Sequence, residues 1–257
     1  MRPLVDPQRK VVLALTPRAG CTICTQMFFR EMGILDEALR YDPWVHQYRI
    51  EVYNEKNPFS GSVLRDPEYF RMKVVRDPYR RAVSSYRFVM QRHSLLVPGD
   101  LSGEDLTFRG FLNFLENQDL AAADVHYGLQ KDCFERKLPD VYHRILKIES
   151  LAEDIAEVNS LLGTRYDPSG LKSPHHARYD ASIRELAVDQ KWSDIKDSLP
   201  DYSFFYDESA ARQVRDLYRT DFETYHYASE KPEPGRRKSY GTGNYLPAGA
   251  AGFLGRA

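Results

Sequence analysis

The chain has 257 residues, enough to bury a full core as one domain or at most two. Lys plus Arg number 36 against 37 Asp plus Glu, a balance that weighs against a dedicated nucleic-acid or acidic-membrane binder. Three cysteines do not make a secreted disulfide framework, and no stretch approaches a transmembrane span, so a soluble protein of a reducing compartment, the cytoplasm, is expected.

Met1 to Pro7 has no apolar signal-type region. Val11 to Leu15 reads as a buried parallel strand. Thr16-Pro17-Arg18-Ala19-Gly20-Cys21-Thr22 follows, and then an apolar-faced helix through Cys24, Phe28 and Leu35. Strand, tight glycine loop and helix, in that order, aim the N–H groups of a first helical turn at one spot, where an anion is stabilised. Arg18 adds a full charge and Thr22 a hydroxyl donor. The loop is no Walker A motif, because no Lys follows the last Gly. Two other readings stand beside the anion site. Any α/β protein has a glycine loop after its first strand, and Cys21-Thr22-Ile23-Cys24 is also how a thioredoxin-like C-x-x-C looks.

Residues 36 to 70 are aromatic and punctuated by Pro43, Pro58 and Pro67; Val45 to Tyr53 is either a helix or a short strand. His46 stands here beside Trp44, a setting more often structural than catalytic. Met72 to Val75 is a second strand, closed by Arg76-Asp77-Pro78, with Asp77 as N-cap and Pro78 as first residue of a helix to Met90. Arg76 at the strand end and Ser84 two turns into the helix are expected to converge on one anion; the alternative for Arg76 is a structural ion pair. Arg65-Asp66-Pro67 repeats the tripeptide as a turn only.

Residues 91 to 106 read as a surface loop. Thr107 caps a helix with Phe108, Phe111, Leu112 and Leu115 on one face. Val141 to Ile148 is a third strand, and Glu149-Ser150 opens a helix carrying Leu151, Ile155 and Val158. The His175-His176 pair fits no zinc spacing with Cys21 and Cys24. A last helix runs from about Ser209 to Phe222, and the chain after it is rich in Pro, Gly and charge, so a single domain over 1–228 and a flexible tail over 229–257 are expected.

These residues resemble a known family, the carbohydrate (family 2 type) sulfotransferases that use 3'-phosphoadenosine 5'-phosphosulfate (PAPS). Pro17-Arg18-Ala19-Gly20-Cys21-Thr22 resembles the family's 5'-phosphosulfate loop, usually Pro-Lys-x-Gly-Cys-Thr/Ser. Val74 to Tyr86 resembles its 3'-phosphate segment, with Arg76 and Ser84 at the matching separation. Asp124-Val125-His126-Tyr127-Gly128-Leu129-Gln130 is similar to its Asp-x-His-Trp-x-x-Gln stretch, with Tyr127 for Trp. Lys147 to Leu151 and Leu217 to Glu223 match later landmarks, so the resemblance covers roughly residues 10 to 227.

The resemblance implies a P-loop-like three-layer α/β fold with a central parallel sheet flanked by helices. It implies PAPS as co-substrate, bound by Arg18, Ala19, Gly20, Cys21, Thr22, Ile23, Arg76 and Ser84, and a hydroxylated acceptor, a carbohydrate. Arg18 is the expected charge stabiliser. His46 lies where several sulfotransferases place a catalytic His, and His126 is the runner-up as general base. No metal is expected, since no Mg²⁺-type carboxylate cluster is evident. Two departures stand out. Arg18 replaces the usual Lys, and no membrane anchor of the Golgi type is expected, a likeness to soluble bacterial members. Cys21 is the family's usual loop residue, so only Cys24 is extra. That leaves a sulfotransferase for another small hydroxylated metabolite as the near alternative. A thiol–disulfide protein is the distant one. A P-loop kinase is disfavoured by the missing Gly-Lys-Ser/Thr.

Overall fold

The computed structural model describes residues 1–91, 105–173 and 179–234. Most of the surface loop expected over 91–106, the His175-His176 pair and the tail from residue 235 onward lie outside the described residues. The helices that build the two units and the candidate site include, in chain order, α1 (Cys21–Glu31), α2 (Leu35–Tyr41), α3 (Val45–Tyr48), α4 (Pro78–Gln91), α5 (Phe108–Glu116), α6 (Leu151–Leu162), α7 (Glu208–Leu217) and α8 (Arg219–Thr224). Within the stretch expected as one domain the described residues gather into two compact units. One is Met1–Arg76 with 133–173; the other is 77–91, 105–132 and 179–234.

The first unit carries a four-stranded sheet, β1 (Leu4–Asp6), β2 (Val11–Leu15), β3 (Phe70–Val75) and β4 (Arg144–Lys147), in that spatial order. β2, β3 and β4 are parallel, with Leu15 opposite Val74 and Val75 opposite Lys147. The sheet is therefore parallel from β2 to β4 and mixed at its edge, because β1 runs antiparallel to β2. Sequence reading missed β1, which is three residues long and flanked by Pro3 and Pro7. It is pinned in place by Tyr53, whose hydroxyl donates to the Val5 carbonyl at 2.5 Å and accepts from the Val5 amide at 2.9 Å.

Every residue of β2 is buried, which is why its run is apolar throughout rather than alternating. Val11, Leu13 and Leu15 face a core shared with Met27, Phe28 and Phe29 of α1 and Ile155 and Val158 of α6. Val12 and Ala14 face a smaller core with Leu64, Tyr69 and Tyr142. The period of two therefore separates the sheet's two faces. Val45 to Tyr53 resolves as helix, α3 running on into a π-helical turn over Arg49–Tyr53.

The second unit is helical. Asp77 caps α4 as expected, its Oδ1 accepting from the Arg80 amide at 3.0 Å. Thr107 caps α5 in the same way, accepting from the Gly110 amide at 3.0 Å. Tyr86 of α4 stands among the rings of Phe108, Phe111, Trp192 and Phe205, an aromatic core with mostly edge-on contacts. The single helix expected near 209–222 is two, broken at Tyr218, whose backbone turns to φ −109° and ψ 24°.

Candidate active site

Three parallel strands end at one edge of the first unit's sheet, and the chain continues from them through Thr16 to Gly20 after β2, Arg76 after β3 and Ile148 after β4. Ligands bind at such carboxyl edges in open α/β sheets. The loop after β2 turns back on itself, the Ala19 amide donating to the Thr16 carbonyl at 3.1 Å. Two of its residues are left-handed, Arg18 at φ 68° and Gly20 at φ 80°. Glycine is favoured at position 20 on two counts: its φ lies in the left-handed region, and a Cβ there would meet Ile148 Cδ1 at 2.5 Å, so that side chain would have to shift. Ile148 sits in the stretch matched as a later landmark, and this contact gives that landmark a physical role beside the loop.

Gly20 caps α1, whose first intrahelical bond runs from the Cys24 amide to the Gly20 carbonyl at 3.0 Å. The N–H groups from Gly20 to Ile23 thus head the helix, the arrangement that favours an anion by donors and dipole. The Cys21 thiol donates to the Thr16 carbonyl at 2.9 Å, so its part is to close the loop. Cys24 is fully buried, and burial pushes its thiol up, with Cys21 a further cause. A buried thiol held protonated is ill suited to exchange chemistry, which needs an accessible thiolate. All three cysteines are unbridged thiols.

Arg18, being no glycine, carries a left-handed backbone at a cost of about 1–2 kcal/mol. Arg76 meets that strain directly: its Nη1 donates to the Arg18 carbonyl at 2.9 Å. A hydrogen bond from a charged donor contributes about 1.5–3 kcal/mol, enough to offset the strain. Sequence reasoning assigned Arg76 to an anion and missed this contact, which no spacing rule announces because 58 residues separate the partners.

His46, in α3, is buried, with Trp44 edge-on at 5.6 Å between ring centroids. Its Nδ1 lies 3.4 Å from Arg49 Nη1 and its Nε2 lies 3.3 Å from the Thr22 hydroxyl. An arginine N–H only donates, so Nδ1 accepts. In the neutral ring Nε2 then carries the proton and donates to Thr22 Oγ1. The Thr22 hydroxyl hydrogen is thereby turned toward another acceptor. Arg49 was readable in principle, since it follows His46 by three residues on a helix.

The other expected residues lie in the second unit. Ser84 is buried on α4. His126 stands in the loop after α5, with its Nδ1 2.7 Å from Asp124 Oδ1 and its backbone amide 2.8 Å from the same oxygen. A carboxylate accepts from Nδ1–H, which places the neutral ring's lone pair on Nε2. Phe88 stacks on the ring at 4.2 Å. The loop is held from several sides. Ser85 donates to the His126 carbonyl at 2.6 Å, and Arg81 donates to the Gly128 and Val125 carbonyls at 2.7 and 3.1 Å. The Tyr218 hydroxyl donates to the Tyr127 carbonyl at 2.6 Å, and Asp221 accepts from the Gln130 amide. A Cβ on Gly128 would come within 2.9 Å of the Leu120 carbonyl, so glycine is needed there for close backbone approach. The Asp-x-His spacing was the signal for the Asp124–His126 pair.

Among the described residues no group of three or more His, Cys, Asp and Glu could hold a metal ion, and no helix is long and apolar enough to cross a membrane. Comparison with curated proteins and with solved structures finds no match. Comparison with protein families matches residues 1–228 to the sulfotransferase family. With a glycine-turned helix start at the end of a parallel strand and a match over most of its length, the chain belongs to the sulfotransferase family, enzymes that transfer a sulfuryl group.

Proposed function

We propose that the protein transfers the sulfuryl group of PAPS to a hydroxyl of a carbohydrate acceptor, as a soluble cytoplasmic enzyme. The observation that carries the donor half is the loop from Pro17 to Ile23, with its left-handed Arg18 and Gly20 and the start of α1 behind it. That donor set fits a phosphosulfate: several N–H groups, one guanidinium and one hydroxyl, and no carboxylate among residues 17–23. The carbohydrate half rests on the resemblance of the motifs to carbohydrate members.

PAPS, when bound, supplies an activated sulfuryl group on a phosphate leaving group, and the chain supplies the surroundings. Amides of Gly20, Cys21, Thr22 and Ile23 bind the 5' end, together with the Thr22 hydroxyl that His46 orients. Ala19 sets the turn that aims them. Arg18 is the donor for charge that grows on the bridging oxygen as the bond to sulfur breaks. Arg76 takes the 3'-phosphate, and the resemblance of the Val74 to Tyr86 segment assigns Ser84 to the same group. The acceptor hydroxyl needs a base, and the hydrogen-bond pattern favours His126 over His46 for it. His126 presents Nε2 as acceptor, backed by Asp124, whereas His46 spends its Nε2–H on Thr22.

Calorimetry tests the donor. The bisphosphate product, 3',5'-bisphosphoadenosine, should bind wild type more tightly than adenosine 5'-monophosphate by roughly 2–5 kcal/mol, the range for a charged partner in a desolvated pair. Ser84→Ala should remove about 1 kcal/mol of that preference and leave the monophosphate unchanged. Equal binding of both nucleotides by wild type would remove PAPS as donor.

A further inference from the structure

The bond from Arg76 to the Arg18 carbonyl joins two residues that the nucleotide reading assigns to different phosphates. β2 and β3 are parallel, with Leu15 opposite Val74, so the loop and Arg76 leave the sheet side by side. Arg76 Nη1 reaches the carbonyl of Arg18, the residue held at φ 68°. Rotating that residue to an ordinary right-handed or extended backbone would swing the Arg18–Ala19 peptide. The amides beyond it and the Arg18 side chain would be re-aimed together. A guanidinium has five N–H donors in a rigid planar fork, so one arm on a carbonyl is compatible with another on an anion.

We propose that Arg76 is a positioning residue for the 5'-phosphosulfate loop as well as a 3'-phosphate ligand, so that filling the 3'-phosphate site tightens the loop. The first half stands on the geometry alone; the second rests on the PAPS reading. An anion seated on the fork fixes its plane and so fixes Nη1 against the Arg18 carbonyl. By linkage, a well-formed loop in turn favours the 3'-phosphate. A lysine at this position would keep the charge and lose the fork, satisfying the phosphate in part and the loop hardly at all. The device rewards the donor that carries both phosphates, because a nucleotide without the 3' group binds a loop that is left looser.

Hydrogen exchange in the nucleotide-free protein reads the brace without any turnover. The reporters are the Ala19 amide, bonded to Thr16, and the Cys24 amide, bonded to Gly20. Arg76→Ala and Arg76→Lys should each raise exchange at both, by roughly tenfold, with β2 and β3 unchanged, since local opening is governed by local bonds. In wild type 3',5'-bisphosphoadenosine should slow the two amides more than saturating adenosine 5'-monophosphate does, and in Arg76→Lys the two nucleotides should slow them alike. Unchanged exchange in the free variants, with bisphosphate affinity lost, would overturn the brace and leave Arg76 a plain phosphate ligand. Raised exchange in the variants with no nucleotide binding to wild type would uphold the brace and overturn both the coupling and the PAPS reading. Should Arg76→Ala fail to fold, Arg76→Lys carries the same comparison.

Discussion

Replacing His126 by alanine should lower kcat by about 10²- to 10⁴-fold, the usual contribution of a positioned general base. The affinity for 3',5'-bisphosphoadenosine should hardly move, because the base serves the acceptor. Asp124 takes Nδ1–H of His126 at 2.7 Å, and the ring stacks on Phe88 from a loop tied down by Ser85 and Arg81. Asp124→Asn should therefore also cost rate, by loosening the tautomer rather than removing the base. In wild type kcat/KM should fall on the acid side as the base is protonated, and in His126→Ala that limb should be gone. His46→Ala should behave differently. It frees the Thr22 hydroxyl, so it should weaken nucleotide binding while keeping the acid limb. A pH profile that loses its acid limb in His46→Ala and keeps it in His126→Ala would reverse the assignment.

Arg18→Ala should depress kcat by about 10²- to 10³-fold, the scale for removing one donor from a developing oxyanion. Ground-state affinity should fall much less, because the charge on the bridging oxygen grows only as the bond to sulfur breaks. Arg18→Lys separates the charge from its shape. The family's usual residue is lysine, yet here the loop is folded around a left-handed residue whose carbonyl is held by Arg76. If that backbone hold sets the geometry, lysine should restore most of the rate. A variant as slow as alanine would mean that the planar guanidinium is itself required. Equal losses in kcat and in nucleotide affinity for Arg18→Ala would contradict a role confined to the transition state.

What could be read in the sequence was whatever had a local cause. Val11 to Leu15 is buried on both faces and reads as an unbroken apolar run, and Thr107 and Asp77 sit one residue before the helices they cap. The loop from Pro17 to Thr22 announced itself by strand, glycine and helix in sequence. β1 was invisible because its three residues are held by a partner strand and by Tyr53, 48 residues away from Val5. The break at Tyr218 has no proline or glycine to mark it. At the candidate positions the residue types were legible, and their hydrogen-bond partners were not. His46 and His126 look alike as letters. Only the contacts of Nδ1, with Arg49 in one and Asp124 in the other, set their tautomers apart. The Arg76 brace and the Ile148 stop behind Gly20 are likewise contacts across strands that no spacing encodes.

Incubating the wild-type protein with PAPS carrying radioactive sulfate, against a panel of glycans and small hydroxylated metabolites, tests sulfuryl transfer from this donor most directly. Radiolabel is expected on the hydroxyl of a carbohydrate, dependent on the 3'-phosphate of the donor and lost in Arg18→Ala. Label on a non-carbohydrate hydroxyl would keep the donor and replace the acceptor class. No transfer from PAPS to any acceptor, with 3',5'-bisphosphoadenosine failing to bind, would rule out PAPS as the sulfuryl donor of this protein.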